Sequence, residues 1–331
     1  MSSITTYNDA FIQAISYYLP EKVLDNQRLK QDFPEGAIDK VADKTGILSR
    51  HIAENSECAS DLAVKAANKL FLDYKISPST IDFVLFCTQS PDYFLPTTAC
   101  IIQERLGLST KIGALDFNLG CSGFVYGLSI AKGLIAANMA QNVLLLTGET
   151  YSKYMANDDK TNRVLFGDAG AATLVSVQKG VANIRNFVFG TDGRGANNLI
   201  VEQGGARTFG SLSSTTPTLY MNGPEIFNFT LETVPMLVTQ VLEKNDVQLD
   251  DINCFVFHQA NQFMLESLRR ILKIPEHKFL IHLKECGNTV SSTIPIVLYE
   301  GLSAGKIKKG DRVLIIGFGV GYSWSGTLLE F

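Results

Sequence analysis

Two stretches of the chain read STIDFVLF (79–86) and DDINCFVF (250–257), and their aligned isoleucines, Ile81 and Ile252, lie 171 residues apart. Each stretch begins with polar residues and continues as an apolar run of the kind that forms a buried strand. A second pair, NVLLL (142–146) and RVLII (312–316), recurs at an offset of 170 residues. Two matches at nearly one spacing indicate a duplicated fold, although buried strands resemble each other and a chance likeness stays open. In a duplicated fold the functional site is expected where the halves meet.

Predicted strands and helices alternate along the chain. Apolar strands bounded by polar residues or glycine are predicted at 81–87, 112–117, 143–146, 172–177, 252–257 and 313–316. Helical patterns lie between them at 60–74, 122–140, 226–244 and 262–272. The segment 190–220 is rich in glycine, serine and threonine without a clear period, which predicts a connecting loop between the halves. The alternation predicts an α/β layered fold.

The composition is that of a globular protein, because 46% of the 331 residues are hydrophobic and 19% are charged. A formal net charge of -4 gives no electrostatic reason to expect a nucleic acid or an anionic membrane as partner. Residues 1–9 lack the pattern of a secretory signal, and no apolar run reaches the roughly 18 residues of a spanning helix, so a cytoplasmic protein is predicted. The spacing of the cysteines and histidines predicts neither a metal site nor a dithiol site.

Cys121 lies in NLGCSG (118–123), between the predicted strand 112–117 and the predicted helix 122–140. A thiol at a helix start meets the positive end of the helix dipole and free backbone N–H groups, which favour the nucleophilic thiolate. The flanking glycines permit tight backbone geometry and close approach of a substrate. The alternative is a small buried core cysteine, and the position alone does not decide between the two.

His258 opens HQAN (258–261) at the carboxyl end of the strand 252–257, where open α/β sheets place their chemistry. A capping turn, with Asn261 as the cap of the next helix, is the other interpretation. Asn288 lies in GNTVSST (287–293), where an asparagine after glycine is common in turns and by itself indicates no function.

The glycine-rich segment GFGVGYSW (317–324) follows the predicted strand 313–316. Its glycines either bring a backbone close to another group or simply turn the chain. It does not predict a dinucleotide site, because a strand rather than a helix follows it. GDAG (167–170) likewise precedes a strand and does not predict a phosphate loop.

Together, in this order, the motifs closely resemble β-ketoacyl-[acyl-carrier-protein] synthase III of the thiolase superfamily. The likeness covers nearly the whole chain and includes TGI (45–47), RHI (50–52), the cysteine turn, FGDAGA (166–171), the His258 and Asn288 motifs and the terminal glycine motif. It implies a five-layered α/β/α/β/α fold of two similar halves, 1–180 and 181–331, in one compact body that forms a homodimer.

The resemblance also implies roles for individual residues. Cys121 matches the nucleophile, His258 and Asn288 match the pair that engages a malonyl thioester, and the backbone N–H groups of Cys121 and Val320 match the oxyanion hole. The implied reaction is decarboxylative condensation of a primer acyl thioester with malonyl-acyl carrier protein, in fatty acid initiation or a specialised pathway. Coenzyme A or phosphopantetheine thioesters are the substrates, and no cofactor is implied.

Several positions depart from the pattern of the family. Lys40 and Lys44 stand where many members place a tryptophan and an arginine against the coenzyme A nucleotide; they can meet phosphates but cannot stack. Leu95 aligns with an aromatic residue that limits acyl length in some members, and Phe263 aligns with a basic residue for carrier docking. The remaining candidates for binding and docking are Asn261 for the substrate and Arg269 and Arg270 for an acidic carrier.

Other functions fit the same residues less well. An acyltransferase of this fold could pass the acyl group from Cys121 to an alcohol or amine without decarboxylation, but the retained Asn288 argues for an enolate. A non-catalytic scaffold would be expected to lack the nucleophile. A cysteine hydrolase could use any Cys-His pair, but the flanking motifs disfavour that reaction.

Overall fold

A computed structural model describes residues 8–208 and 218–331. The strands in these ranges are β1 (Phe11–Tyr18), β2 (Val23–Asp25), β3 (Ser49–His51), β4 (Phe83–Cys87), β5 (Gly113–Phe117), β6 (Asn142–Glu149), β7 (Ala169–Ser176), β8 (Ala182–Thr191), β9 (Leu199–Val201), β10 (Leu219–Met221), β11 (Cys254–Phe257), β12 (Arg312–Gly319) and β13 (Ser323–Glu330). The α-helices are α1 (Asn26–Asp32), α2 (Ile38–Thr45), α3 (Ala59–Tyr74), α4 (Thr98–Arg105), α5 (Gly123–Ala136), α6 (Lys160–Arg163), α7 (Gly223–Lys244), α8 (Gln262–Ile271) and α9 (Thr293–Ser303).

Nine strands form one mixed sheet in the order β11-β12-β13-β8-β1-β7-β6-β4-β5. In the amino-terminal part, β4 pairs in parallel with β5 and β6, while β7 is antiparallel to β6 and β1. In the carboxyl-terminal part, β11 and β12 are parallel, and β13 is antiparallel to both β12 and β8. The two parts join at β1 and β8, which pair only through Phe11 with Asn183 and Ile12 with Ala182. The predicted division at 180/181 falls between β7 and β8 and stays a prediction.

The hydrophobic cores show how the layers stack. Successive residues of a strand point to opposite faces, so Leu85 of β4 packs in a core with α5 and α9, whereas Val84 and Phe86 pack in a core with α3 and α4. In the carboxyl-terminal half, Val256 joins the core of α5 and α9, and Phe257 joins that of α7 and α8. The order of the layers is therefore α3/α4, the amino-terminal part of the sheet, α5/α9, the carboxyl-terminal part of the sheet, and α7/α8. The predicted five-layered fold is confirmed.

The central helix α5 lies close to its sheet because glycines face the neighbouring strands. A Cβ at Gly123 would lie 2.3 Å from the Cys87 sulfur, and one at Gly127 would lie 2.5 Å from a methyl group of Leu145. Any larger residue at either position would push the helix outward. These glycines hold the start of α5, and with it the preceding turn, against the ends of β4 and β6.

The predicted strands and helices are confirmed, with boundaries shifted by a few residues. The prediction of a plain loop over 190–220 is wrong in part, because β8 extends to Thr191 and β9 pairs with β10. These short strands are anchored by the buried side chains of Leu199 and Leu219. Residues 209–217 of that segment, and residues 1–7 of the amino terminus considered for a signal, lie outside the described residues. Across the described ranges, every helix is too short or too polar to span a bilayer.

Candidate active site

Cys121 lies in the turn between β5 and α5, two residues before the first residue of the helix, and only 5% of it is exposed. The end of β12 packs directly against it. A Cβ at Gly319 would lie 2.8 Å from the Cys121 Cβ and 3.0 Å from the sulfur. Of the two interpretations of the terminal glycine motif, close backbone approach is therefore the correct one, and the group approached is the thiol.

Cys121, His258 and Asn288 line one cavity of about 240 Å³. The three residues come from the β5–α5 turn, the end of β11 and the segment before α9, so both halves of the chain contribute to this cavity. The rest of the lining comprises Thr161, Leu165, Phe166, Leu199, Met221, Gly223, Ile226, Ala260, Asn261, Met264, Phe318 and Gly319. A mostly apolar wall around a few convergent polar groups is typical of a small-molecule site.

The imidazole of His258 is held on several sides. Its backbone N–H donates to the Ile316 carbonyl at 2.8 Å, its Nδ1 lies 2.8 Å from Thr293 Oγ1, and the ring of Phe318 meets it edge to face at 5.5 Å. Only 2% of the residue is exposed. Burial lowers the pKa of His258 to about 3, although a hydrogen bond with the Val290 backbone acts in the opposite direction, so the imidazole is neutral at pH 7.

Asn288 is fixed by both its backbone and its side chain. Its N–H donates to the Leu165 carbonyl at 2.9 Å, and its carbonyl accepts from the Gly167 N–H at 3.0 Å. Its side-chain Oδ1 accepts from the Val290 N–H at 2.9 Å. Because the amide oxygen is used in this way, the NH₂ group is the part of the side chain left to donate into the cavity.

Cys121 is a protonated thiol in the resting cavity. Burial, with a smaller contribution from Glu149, raises its pKa to about 12, although a backbone hydrogen bond acts in the opposite direction. Burial therefore opposes the stabilisation of the thiolate that the helix start is expected to give.

Glu149, at the end of β6, is a buried carboxyl group that the sequence analysis missed. It accepts hydrogen bonds from the Gln89 backbone N–H at 3.1 Å, the Ser90 hydroxyl at 2.9 Å and the Ser291 hydroxyl at 3.3 Å. Burial raises its pKa to about 8 despite these bonds. An acidic residue soon after the apolar run 143–146 was the one signal in the sequence that could have revealed it.

A larger cavity of about 750 Å³ shares Leu199 with the first and has Val320 in its wall. Val320 lies beside the cysteine turn, since a Cβ at Gly120 would be 2.9 Å from one of its methyl groups. Apolar side chains of Phe94, Val201 and Leu219 alternate in its wall with polar groups. Among these, the Tyr151 hydroxyl donates to Gln89 Oε1 at 2.5 Å.

The other predicted site residues are distributed over the surface. Lys44 Nζ lies 4.6 Å from the ring centroid of Phe263, and Lys40 is exposed. Asn261 fits both of its interpretations, because it caps α8 by accepting from the Met264 N–H at 2.9 Å and also lines the smaller cavity.

Arg269 and Arg270 differ in ion pairing and in side-chain exposure. Arg269 pairs with Glu266 at 2.7 Å, whereas 77% of the Arg270 side chain is exposed, with Glu266 4.0 Å away. Leu95 is 82% exposed and lies next to Phe94, outside the lining of both cavities.

Comparison with known proteins identifies the family. The chain is 36% identical over 318 residues to the β-ketoacyl-[acyl-carrier-protein] synthase III of Caldanaerobacter subterraneus, covering 95% of each chain. The chain belongs to this family. Models of the 3-oxoacyl-[acyl-carrier-protein] synthase III family match residues 115–193, and models of its carboxyl-terminal part match residues 242–331.

Solved structures of synthase III enzymes support the same family assignment. One crystal structure of a 3-oxoacyl-(acyl-carrier-protein) synthase III superposes with a TM-score of 0.94 at 49% identity, over 98% of this chain and 100% of that one. A 3-oxoacyl-(acyl-carrier protein) synthase from Burkholderia xenovorans gives 0.90 at 36% identity, over 98% and 95%. The chain is thus a synthase III type acyltransferase, which condenses an acyl primer with malonyl-acyl carrier protein, the reaction that initiates fatty acid synthesis. The predicted family and reaction are confirmed.

Proposed function

We propose that this synthase III works through an acyl group carried on Cys121, with His258 and Asn288 acting on the malonyl thioester. The observation that carries the proposal is the single cavity of about 240 Å³ in which the three side chains meet. Cys121 precedes His258 and Asn288 by more than a hundred residues, and general packing does not require the three to meet. Each is a residue type that the reaction needs at that place.

In the first half-reaction the Cys121 sulfur attacks the carbonyl carbon of the primer thioester. The new S–C bond forms, the bond to the carrier sulfur breaks, and the carrier leaves as a thiol after taking the Cys121 proton by way of His258. Burial disfavours both a free thiolate and a free imidazolium here. The proton therefore moves as the S–C bond forms, so that neither charge is left unpaired in the cavity.

In the second half-reaction malonyl-acyl carrier protein loses CO₂. The electron pair of the broken C–C bond forms an enolate, whose oxygen accepts hydrogen bonds from the Asn288 NH₂ group and from His258 once its cavity-facing nitrogen is protonated. The enolate carbon attacks the acyl-cysteine, the C–S bond breaks, and the Cys121 sulfur regains a proton. One proton is taken up per turnover. Donors aimed at a developing oxyanion are commonly worth about 2.7–4 kcal/mol each.

The oxyanion of the tetrahedral intermediates would lie between the backbone N–H groups of Cys121 and Val320. Cys121 precedes the start of α5, where backbone N–H groups have no partner within the helix. Val320 directly follows Gly319, the last residue of β12 paired with β13. Both positions therefore have N–H groups beyond the regular hydrogen-bond pattern, and they flank the thiol.

We further propose that the primer acyl group extends into the larger cavity. A volume of about 750 Å³ is in the range that encloses drug-sized ligands, so a primer longer than acetyl fits. Lys40 and Lys44 are proposed to meet the phosphates of a coenzyme A primer. Arg270 is the better of the two docking candidates for an acidic carrier, because Arg269 already has a carboxylate partner.

Mass spectrometry of the intact protein tests the nucleophile. After incubation with a panel of acyl-CoA and acyl-carrier thioesters, the wild type should gain the mass of the acyl group, and Cys121→Ala should gain none. Cys100→Ala is the matched control, because Cys100 is a free cysteine that lies outside both cavities, and it should acylate normally. Acylation of Cys121→Ala at the wild-type rate would exclude the proposal.

A further inference from the structure

Val290 stands between the two polar side chains assigned to the malonyl thioester. It is fully buried, and its φ of 54° is unusual for a β-branched residue. Its N–H donates to Asn288 Oδ1 at 2.9 Å, and its carbonyl accepts from the Thr293 hydroxyl at 3.0 Å. A strained backbone conformation of this kind persists only where the surroundings hold it. This peptide thus connects Asn288 to the first residue of α9.

The connection continues from Thr293 to His258. A hydroxyl has one proton to donate, and that of Thr293 is directed at the Val290 carbonyl. With that proton on the Val290 carbonyl, the contact of 2.8 Å between Thr293 Oγ1 and His258 Nδ1 is one in which the ring nitrogen donates. The hydrogen bond that the imidazole makes with the Val290 backbone also favours a protonated ring nitrogen. Both residues are 2% exposed, so water does not compete for these groups.

We propose that Thr293 is a positioning residue that holds His258 as the Nδ1–H tautomer, so that the Nε2 lone pair faces the cavity. The same Val290 peptide turns the Asn288 NH₂ group toward the cavity, and one backbone unit thereby orients both side chains. The inference rests on the proposed function, because it concerns how that site is assembled. Thr293 acts through His258 and is not assigned a contact with the substrate.

This tautomer suits both half-reactions without a ring flip. In acyl transfer the Nε2 lone pair can take the Cys121 proton. In condensation the protonated ring donates from Nε2 to the enolate, while Nδ1–H keeps its bond to Thr293. The opposite tautomer would present an N–H to the thiol and could not accept its proton. A partner on the second ring nitrogen is the usual means by which proteins fix the histidine tautomer.

Two substitutions separate the hydroxyl from the shape of the side chain. Thr293→Val keeps the volume and removes the hydroxyl, whereas Thr293→Ser keeps the hydroxyl. Thr327→Val is the matched control, because Thr327 is fully buried and its hydroxyl donates to the Asn186 carbonyl at 2.9 Å, away from the cavity. It reports the general effect of deleting a buried hydroxyl that is bonded to a carbonyl.

The tautomer is read directly from long-range ¹H–¹⁵N spectra of protein labelled in its four histidines, with His258→Gln used for assignment. The wild type, Thr293→Ser and Thr327→Val should show the Nδ1–H pattern for His258. Thr293→Val should shift toward Nε2–H. If Thr293→Val keeps the wild-type tautomer, or if the wild type itself is Nε2–H, the proposal is wrong.

Rates of the two half-reactions complete the test. Thr293→Val should lower both acylation of Cys121 and condensation by roughly 10- to 100-fold, the range found when outer-shell partners of metal-bound histidines are removed, with little change in the KM for malonyl-acyl carrier protein. Thr293→Ser should recover most of the rate. Equal losses in Thr293→Val, Thr293→Ser and Thr327→Val would reduce Thr293 to a structural role. Failure of the proposed function would give a different result from failure of the Thr293 proposal, because the wild type would then form no acyl-Cys121 whatever the tautomer of His258.

Discussion

The amide of Asn288 is useful for catalysis because only one end of it is free. Its oxygen accepts from the Val290 N–H, which leaves the NH₂ group as a donor with a fixed direction. Preorganised donors of this type are worth more in a dry cavity than in water, since nothing reorganises when the charge develops. Only 5% of Asn288 is exposed, so this condition holds here.

Removing that donor should separate the two half-reactions. We expect Asn288→Ala to slow CO₂ release from malonyl-acyl carrier protein by roughly 100- to 1,000-fold, the usual effect of losing one oxyanion donor. Acylation of Cys121 should stay close to the wild-type rate, because it needs no enolate donor. Scintillation counting of ¹⁴CO₂ and intact mass spectrometry measure the two steps.

Asn245→Ala is the control for Asn288→Ala. Asn245 is also a buried asparagine, but its amide bonds to the carbonyls of Asn186 and Val241, and none of these residues lines either cavity. It should decarboxylate normally if it folds. An Asn288→Ala enzyme that releases CO₂ as fast as this control would show that Asn288 is not an enolate donor.

At the scale of elements, Glu149 joins three segments that support the site. Its carboxyl group bonds to residues following β4 and to Ser291 before α9, from its own position at the end of β6. The raised pKa, about 8 against an ordinary 4.5, means that the folded protein binds this proton more tightly than the unfolded chain. The free energy of unfolding should therefore fall as the pH rises from about 4.5 to 8.

Glu149→Gln should remove this pH dependence. Asp168, whose pKa is raised to about 6, also lowers the free energy of unfolding as the pH rises, but at lower pH. His258, whose pKa is lowered to about 3, raises the free energy of unfolding with pH, and it does so below pH 6.5. The window from pH 6.5 to 8 therefore isolates Glu149. There the wild type should lose up to about 1.4 kcal/mol of stability per pH unit, and the variant should lose much less, as measured by urea unfolding. Parallel curves for the two proteins would contradict the buried carboxyl assignment.

The sequence predicted the strands that are continuous apolar runs and missed strands that polar residues interrupt. Runs such as 143–146 are continuous apolar segments, whereas β1 and β8 are interrupted by polar residues and are only partly buried, so they lack that signal. Cys121 and His258 were identifiable because each follows a strand. The roles of Thr293 and Glu149 were not, because they depend on partners 35 and 142 residues away, which the fold alone brings into contact. For Glu149 the sequence offered only its position soon after an apolar run.

At the scale of the whole molecule, one exposed region has the features of a surface that a partner covers. Within residues 8–208 and 218–331, β5 is the last strand of the sheet and its outer edge is unpaired, with Leu115 46% exposed. Nearby in the chain, Tyr93, Phe94 and Leu95 are 64%, 78% and 82% exposed. A bare strand edge beside an apolar loop is typical of a surface that a partner covers. We therefore propose a homodimer in which Leu95 limits the primer bound to the other subunit, since it lies outside the cavities of its own.

Mixed dimers can test which subunit Leu95 serves. The Leu95→Phe homodimer should lose roughly 10- to 200-fold of its turnover with long primers, as added bulk in an apolar pocket does, and should keep its activity with acetyl. A mixed dimer is made of one Cys121→Ala subunit and one Leu95→Phe subunit and is purified on two different tags. Its one remaining Cys121 belongs to the Leu95→Phe subunit and, in the proposed dimer, faces the wild-type Leu95 of the partner. Turnover per sulfur with long primers should then return to the wild-type value. A mixed dimer as slow as the Leu95→Phe homodimer would place Leu95 in its own subunit's site, and a monomer in light scattering at assay concentration would overturn the dimer itself.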